Sequence, residues 1–148
     1  MSKVKPIPDG YHTVQPYLMF NNCSEAIAFY ARAFGASEKL RMADPKGRIQ
    51  HAEIQIGDSI LMMADEAPQM EAFSIDHFGG SPVSLLIYTE NCDGMYAEAL
   101  KSGAKSLREP ADQPYGDRMA GVKDPFGYKW WIATHIKDMT NEERKATG

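Results

Sequence analysis

His51, Glu53 and Gln55, three polar side chains at alternate positions, form the first group in this sequence whose types and spacing could do chemistry. In an extended chain every second side chain falls on one face, so a strand here lines up an imidazole, a carboxylate and an amide. His51 and Glu53 could bind a metal, or His51 could act as a base with Glu53 orienting it. The plainer reading is the polar face of a half-exposed strand, which alternation alone produces. A second group is Tyr115-Gly116-Asp117-Arg118. The planar fork of Arg118 could hold a carboxylate or phosphate with two donors; otherwise Asp117 and Arg118 pair and fix a loop. Trp130 and Trp131 are neighbours, so on a strand they point to opposite faces. One is expected to pack under a helix and the other to face a concavity, where an aromatic wall suits a flat or apolar ligand. Met19, Met62 and Met63 could line an adaptable pocket, although methionine stripes are ordinarily core.

Other chemistries have less support. Cys23 and Cys92 stand at the starts of two expected helices, where amide dipoles lower a thiol pKa, but no base accompanies either, and both read as structural thiols. His12, His77 and His135 have no metal-type partner at short spacing. Phosphate loops and the Gly-x-Ser-x-Gly elbow are missing from the sequence. A net charge of −4 argues against nucleic acid or an anionic membrane surface as a partner. No run approaches the ~20 apolar residues of a transmembrane helix, and the polar opening Met-Ser-Lys-Val-Lys-Pro lacks the apolar region of a signal peptide. Two cysteines and nine methionines suit a reducing interior, so a cytoplasmic location is expected.

The elements that must position these groups follow from pattern. At 148 residues, 43% of them hydrophobic, the chain can bury one core. After an irregular lead-in over 1–12, Val14–Phe20 reads as a strand. Asn22 then caps a helix, with Glu25 three residues on, and Ile27, Tyr30 and Phe34 form its apolar face. Gly35 stops the helix. Strands are expected at Glu38–Met42, Gln50–Ile56 and Ser59–Ala64, the first two joined by the Asp44-Pro45-Lys46-Gly47 turn. The order then repeats. Val83–Thr89 is a strand, Asn91 opens a helix that Gly103 ends, and Lys105–Leu107 is a short strand. A Pro-containing loop covers 109–116, Asp117–Lys123 is a strand, and Asp124-Pro125-Phe126-Gly127 turns the corner into Tyr128–Thr134. Thr140 and Glu143 have capping-box spacing, so the tail should hold a short helix. Asn22-Cys23 matches Asn91-Cys92, Gly35-Ala36 matches Gly103-Ala104, and Gly57 matches Gly127. An internal repeat of a unit too small to bury its own sheet face implies that two copies pack together. The expected organisation is one α+β domain with a module over 13–64, a linker over 65–81 that could act as a flap, a second module over 82–135 and a tail over 136–148.

Several motifs together resemble the vicinal-oxygen-chelate superfamily of glyoxalase, bleomycin-resistance and extradiol-dioxygenase proteins. They are Tyr17–Phe20 before the Asn22 cap, the Phe29-Tyr30 pair, and Asp124-Pro125-Phe126-Gly127 before a last strand. The PhnB-like branch is the nearer match, through Gly10-Tyr11-His12-Thr13-Val14, His51-Ala52-Glu53, Tyr115-Gly116-Asp117-Arg118 and Ile132-Ala133-Thr134-His135. The resemblance implies two β-α-β-β-β modules whose mixed sheets curl into a cup, usually in a homodimer. Members that do metal chemistry place ligands on the first and last strands of each module. Carried over, those positions fall on Gln15, on Ser84 with Leu86 beside it, on Leu61 or Met62, and on Trp131. Only Gln15 is a good ligand, and a divalent site needs three or more nitrogen or oxygen donors. The usual metal site is therefore expected to be lost and no cofactor is expected; a divalent ion, if bound, would be held by Gln15, His51 and Glu53.

These observations favour a protein that binds a small molecule in the cup, with Gln15, Ser84, Leu86, Arg118 and Trp131 lining it. Sequestration of a toxic or antibiotic compound would be one form of this. The alternative is a lyase, isomerase or dioxygenase-type enzyme, metal-dependent or using His51 as base. A third reading is a dimeric interaction protein with a vestigial pocket. A shared scaffold hosts unrelated functions, so fold alone does not choose among them.

Overall fold

Helix ends and sheet faces set the architecture. In the computed structural model, which describes residues 3–147, the chain divides into two units between Gly79 and Gly80. Met1, Ser2 and Gly148, the extremes of the expected lead-in and tail, lie outside the described residues.

The first unit runs β1 (Tyr17–Phe20), α1 (Cys23–Phe34), β2 (Ser37–Ala43), β3 (Ile49–Ile56) and β4 (Ser59–Asp65), then a 3-10 turn (Pro68–Met70) and the short α2 (Ile75–Phe78). The Asn22 side chain accepts the Glu25 N–H and starts α1. Gly35, with φ of 69°, ends it in the left-handed region that glycine enters without steric cost. The sheet has the order β1-β4-β3-β2, with β1 parallel to β4 and the other pairs antiparallel. Helix α1 covers one face. There Phe20, Ala52, Ile54 and Met63 are buried with Phe29 and Tyr30 of the helix, and each large side chain stabilises the unit by roughly 1.5–3 kcal/mol. The opposite face carries a transverse row, Tyr17 beside Met62, Met62 beside Glu53, and Glu53 beside Leu40.

The second unit runs β5 (Ser84–Tyr88), α3 (Cys92–Ser102), β6 (Lys105–Asp112), β7 (Asp117–Lys123), β8 (Lys129–His135) and α4 (Asn141–Lys145), with sheet order β5-β8-β7-β6. Asn91 caps α3 by accepting the Gly94 N–H, and Thr140 caps α4 by accepting the Glu143 N–H, as its spacing predicts. Beneath α3 and its buried Ala99 lie Ala120, Val122, Trp130 and Ile132, all buried. The transverse row on the other face is Leu86, Trp131, Gly121 and Arg108. At the corner, buried Asp124 accepts the N–H groups of Phe126 and Tyr128 and the indole N–H of Trp130, each at 2.9 Å.

The fold is therefore α+β, with two mixed sheets, each built from a β-α-β-β-β run. Its boundaries differ from expectation in two instructive places. The first strand begins at Tyr17, not Val14: Pro16 has no N–H, although its carbonyl still accepts from Met62, and Val14 is exposed. The first half of the loop expected over 109–116 is strand, because β6 runs to Asp112 as an edge strand that tolerates Pro110 at a register irregularity between Arg108 and Ala111. No helix among the described residues is long and apolar enough to cross a membrane.

Candidate functional site

On the open face of the first unit, β1 and β3 bring Tyr17, His51 and Glu53 together. The His51 Nε2 lies 2.8 Å from Glu53 Oε2, and His51 Nδ1 lies 2.8 Å from the Tyr17 hydroxyl. The Tyr11 hydroxyl, from the lead-in, donates to the other carboxylate oxygen, Oε1. A carboxylate only accepts, so His51 faces it with a protonated Nε2, and in the neutral imidazole Nδ1 then takes the Tyr17 O–H. Glu53 is 7% exposed, yet the hydrogen bonds from Tyr11 and His51 hold its carboxyl below the usual range. Burial, with Cys23 and Glu53 nearby, pushes the Tyr17 phenol up. Glu53 hydrogen-bonding raises Tyr11 likewise. Beside this chain opens a cleft of ≈ 690 Å³, lined by Tyr17, Met19, Arg48, Ile49 and the segment from Glu66 to Ala72. Arg48 donates to the Asn21 and Glu66 carbonyls at its rim.

The open face of the second unit has a different character. The Trp131 indole N–H donates to Ser84 Oγ at 3.1 Å. Gly121 leaves the space its ring occupies, since a Cβ there would sit 2.3 Å from Trp131 Cζ3. Leu86 stands beside it, 45% exposed. Arg118 lies elsewhere in the unit: it donates to Asp93 and Asp112, which raise its pKa, and it holds the Asp93 carboxyl low. Asp117 does not pair with Arg118. It accepts from Tyr88 and faces His135, whose pKa Asp117 and Asp138 raise. Gly116 lets tail backbone approach closely, as a Cβ there would sit 2.4 Å from the Lys137 carbonyl.

Both cysteines are free and buried. Burial and, secondarily, the Asp65 carboxylate push the Cys23 thiol up to about 12, and burial raises Cys92. Their helix-start position does not activate them. In native protein at pH 8 a thiol reagent such as DTNB is expected to titrate neither cysteine, and to titrate both after denaturation; rapid labelling of the native fold would refute the structural assignment.

A family model described as the glyoxalase/bleomycin resistance protein/dioxygenase superfamily matches residues 11–132. The chain belongs to this superfamily. An uncharacterized protein of Mycobacterium bovis, Mb0911c, is 32% identical over 136 residues, covering 90% of each chain. Among solved structures, TioX from Micromonospora sp. ML1 aligns with a TM-score of 0.66 at 23% identity, over 87% of this chain and all of that one. The PhnB protein from Bacillus cereus aligns with a TM-score of 0.62 at 16% identity, over 83% of this chain and 99% of that one.

Within this glyoxalase-superfamily chain two of the carried-over positions, Ser84 and Trp131, are hydrogen-bonded to each other. Gln15 precedes β1 and its Oε1 accepts the His12 N–H at 2.5 Å. By register Met62, not Leu61, corresponds to Trp131, because Met62 neighbours Tyr17 as Trp131 neighbours Leu86. Among the described residues no three His, Cys, Asp or Glu side chains are grouped closely enough to hold a metal ion. His51 and Glu53 are together as their spacing predicts; Tyr17 and Tyr11 join them without any local spacing signal, since both arrive from distant segments.

Proposed function

We propose that the protein binds a small, flat, largely apolar molecule against the Trp131 face of its second unit, without the divalent metal of the superfamily's metal-dependent members. One observation carries this reading: the closing ligand position holds an indole seated over Gly121 and hydrogen-bonded to Ser84, itself a ligand position. Two of the carried-over positions are thus spent on each other, and an indole offers no lone pair to a metal. Trp131 and exposed Leu86 supply the apolar wall, and Ser84 a polar group that would fix orientation.

Each of the two tryptophans gives one indole N–H signal in an NMR spectrum. Titration with 2-naphthoate, a flat aromatic carboxylate probe, is expected to move the Trp131 signal and spare that of Trp130, which is buried against Asp124. Trp131→Leu should weaken the probe about tenfold, the equivalent of about 1.4 kcal/mol. An unmoved Trp131 signal would sink the proposal, as would one stoichiometric nickel, zinc or manganese ion in the natively purified protein.

A further inference from the structure

On the first unit, we infer that Tyr17, His51 and Glu53 form a proton-accepting site for a ligand with a weakly acidic hydroxyl group, a phenol or an enol. The argument rests on the direction of the hydrogen bonds. With the imidazole neutral and its Nε2–H facing the carboxylate, Tyr11 O–H and His51 Nε2–H both donate to Glu53, and Tyr17 O–H donates to His51 Nδ1. Every proton in the chain points inward to the carboxylate. The outer end is therefore the hydroxyl of Tyr17, a residue 48% exposed that lines the ≈ 690 Å³ cleft, and a phenol oxygen that donates its proton can still accept one.

When a ligand O–H donates to Tyr17 Oη, its proton can pass to that oxygen as the Tyr17 proton crosses to His51 Nδ1. One ligand O–H bond breaks, one N–H bond forms on the imidazole, and the electron pair stays on the ligand oxygen. The products are a ligand anion and an imidazolium paired with Glu53. Glu53 is the carboxylate facing His51; β1 contributes Tyr17, the lead-in Tyr11, and β2 Lys39 at longer range and Met42 directly opposite.

The fold itself does not require this chain. In the corresponding row of the second unit, Leu86, Trp131, Gly121 and Arg108, the place of Glu53 is taken by Gly121, so a sheet of this kind closes without a buried carboxylate. Desolvating one is costly unless it is paired, and such arrangements concentrate at functional sites.

The test uses 4-nitrophenol, which is yellow only when ionised, at a pH where most of it is protonated in free solution. With excess protein the bound probe is expected to turn yellow, while the His51 nitrogen signals move from the neutral Nε2–H tautomer to the imidazolium. Tyr17→Phe, which removes only the exposed hydroxyl, and His51→Gln should each lower the ionised bound fraction at least fivefold. Should His51→Gln not fold, Tyr17→Phe decides alone. Movement of the Tyr17 and His51 signals, with the Trp131 indole signal unmoved, separates this site from the Trp131 face. A probe that binds as the neutral phenol, or that leaves the Tyr17 and His51 signals unmoved, overturns the inference.

Discussion

Asp124→Ala is expected to lower the unfolding free energy by about 3 kcal/mol. The carboxylate is 4% exposed and accepts three hydrogen bonds, two from the corner's own backbone and one from the Trp130 indole. Alanine leaves those donors facing a buried gap, and each desolvated donor costs about 1–3 kcal/mol, softened where the chain relaxes. It also frees the indole whose ring fills the space under α3. Asp124→Asn retains one acceptor oxygen and should lose about half as much. Urea unfolding followed by near-ultraviolet circular dichroism checks both variants. A loss below about 1 kcal/mol for the alanine variant would mean that the turn's backbone, not the carboxylate, holds the corner.

The second large effect is at Gly121. A methyl group there would sit 2.3 Å from Trp131 Cζ3 and 2.6 Å from Cε3. No left-handed backbone is involved, so the cost of Gly121→Ala is purely the collision with the ring. Either the sheet distorts, at about 1–3 kcal/mol, or Trp131 swings away and gives up its bond to Ser84. The second outcome predicts a red-shifted tryptophan emission, a moved Trp131 indole signal and a loss of 2-naphthoate binding of at least tenfold. Ser84→Ala removes the hydrogen bond but not the seat, and should cost about 1 kcal/mol at most. An unchanged Trp131 signal in Gly121→Ala would show that the ring does not rest on residue 121.

The repeated β-α-β-β-β order was legible because its markers are local. Asn caps, terminal glycines and the Asp-Pro-Phe-Gly corner act through their own backbone and need no distant partner. The start of the edge strand β6 was legible at Lys105–Leu107, but its continuation to Asp112 was hidden because Pro110 is a strong local breaker, and only its edge position makes it tolerable. His51 and Glu53 were found by alternation along one strand. Tyr17 and Tyr11 were not, because the register of a parallel pair and the path of an irregular lead-in decide where they arrive. Arg118 shows the converse limit. Its type suggested an anion grip, but Asp93, on α3, and Asp112, on β6, occupy the fork, and neither neighbours it in sequence.

The parallel pairing of β1 with β4 also orders the assembly of the molecule in time. Strands β2, β3 and β4 follow one another through short turns and can zip up locally. By contrast, β1 must cross the whole of α1 and two further strands to reach β4. Closing that longer loop costs more chain entropy before any contact rewards it, which slows non-local pairing. Tyr17 rides on β1, so the hydroxyl end of the Glu53–His51 chain should be among the last features to form, and a half-folded unit would hold the carboxylate and imidazole without their outlet.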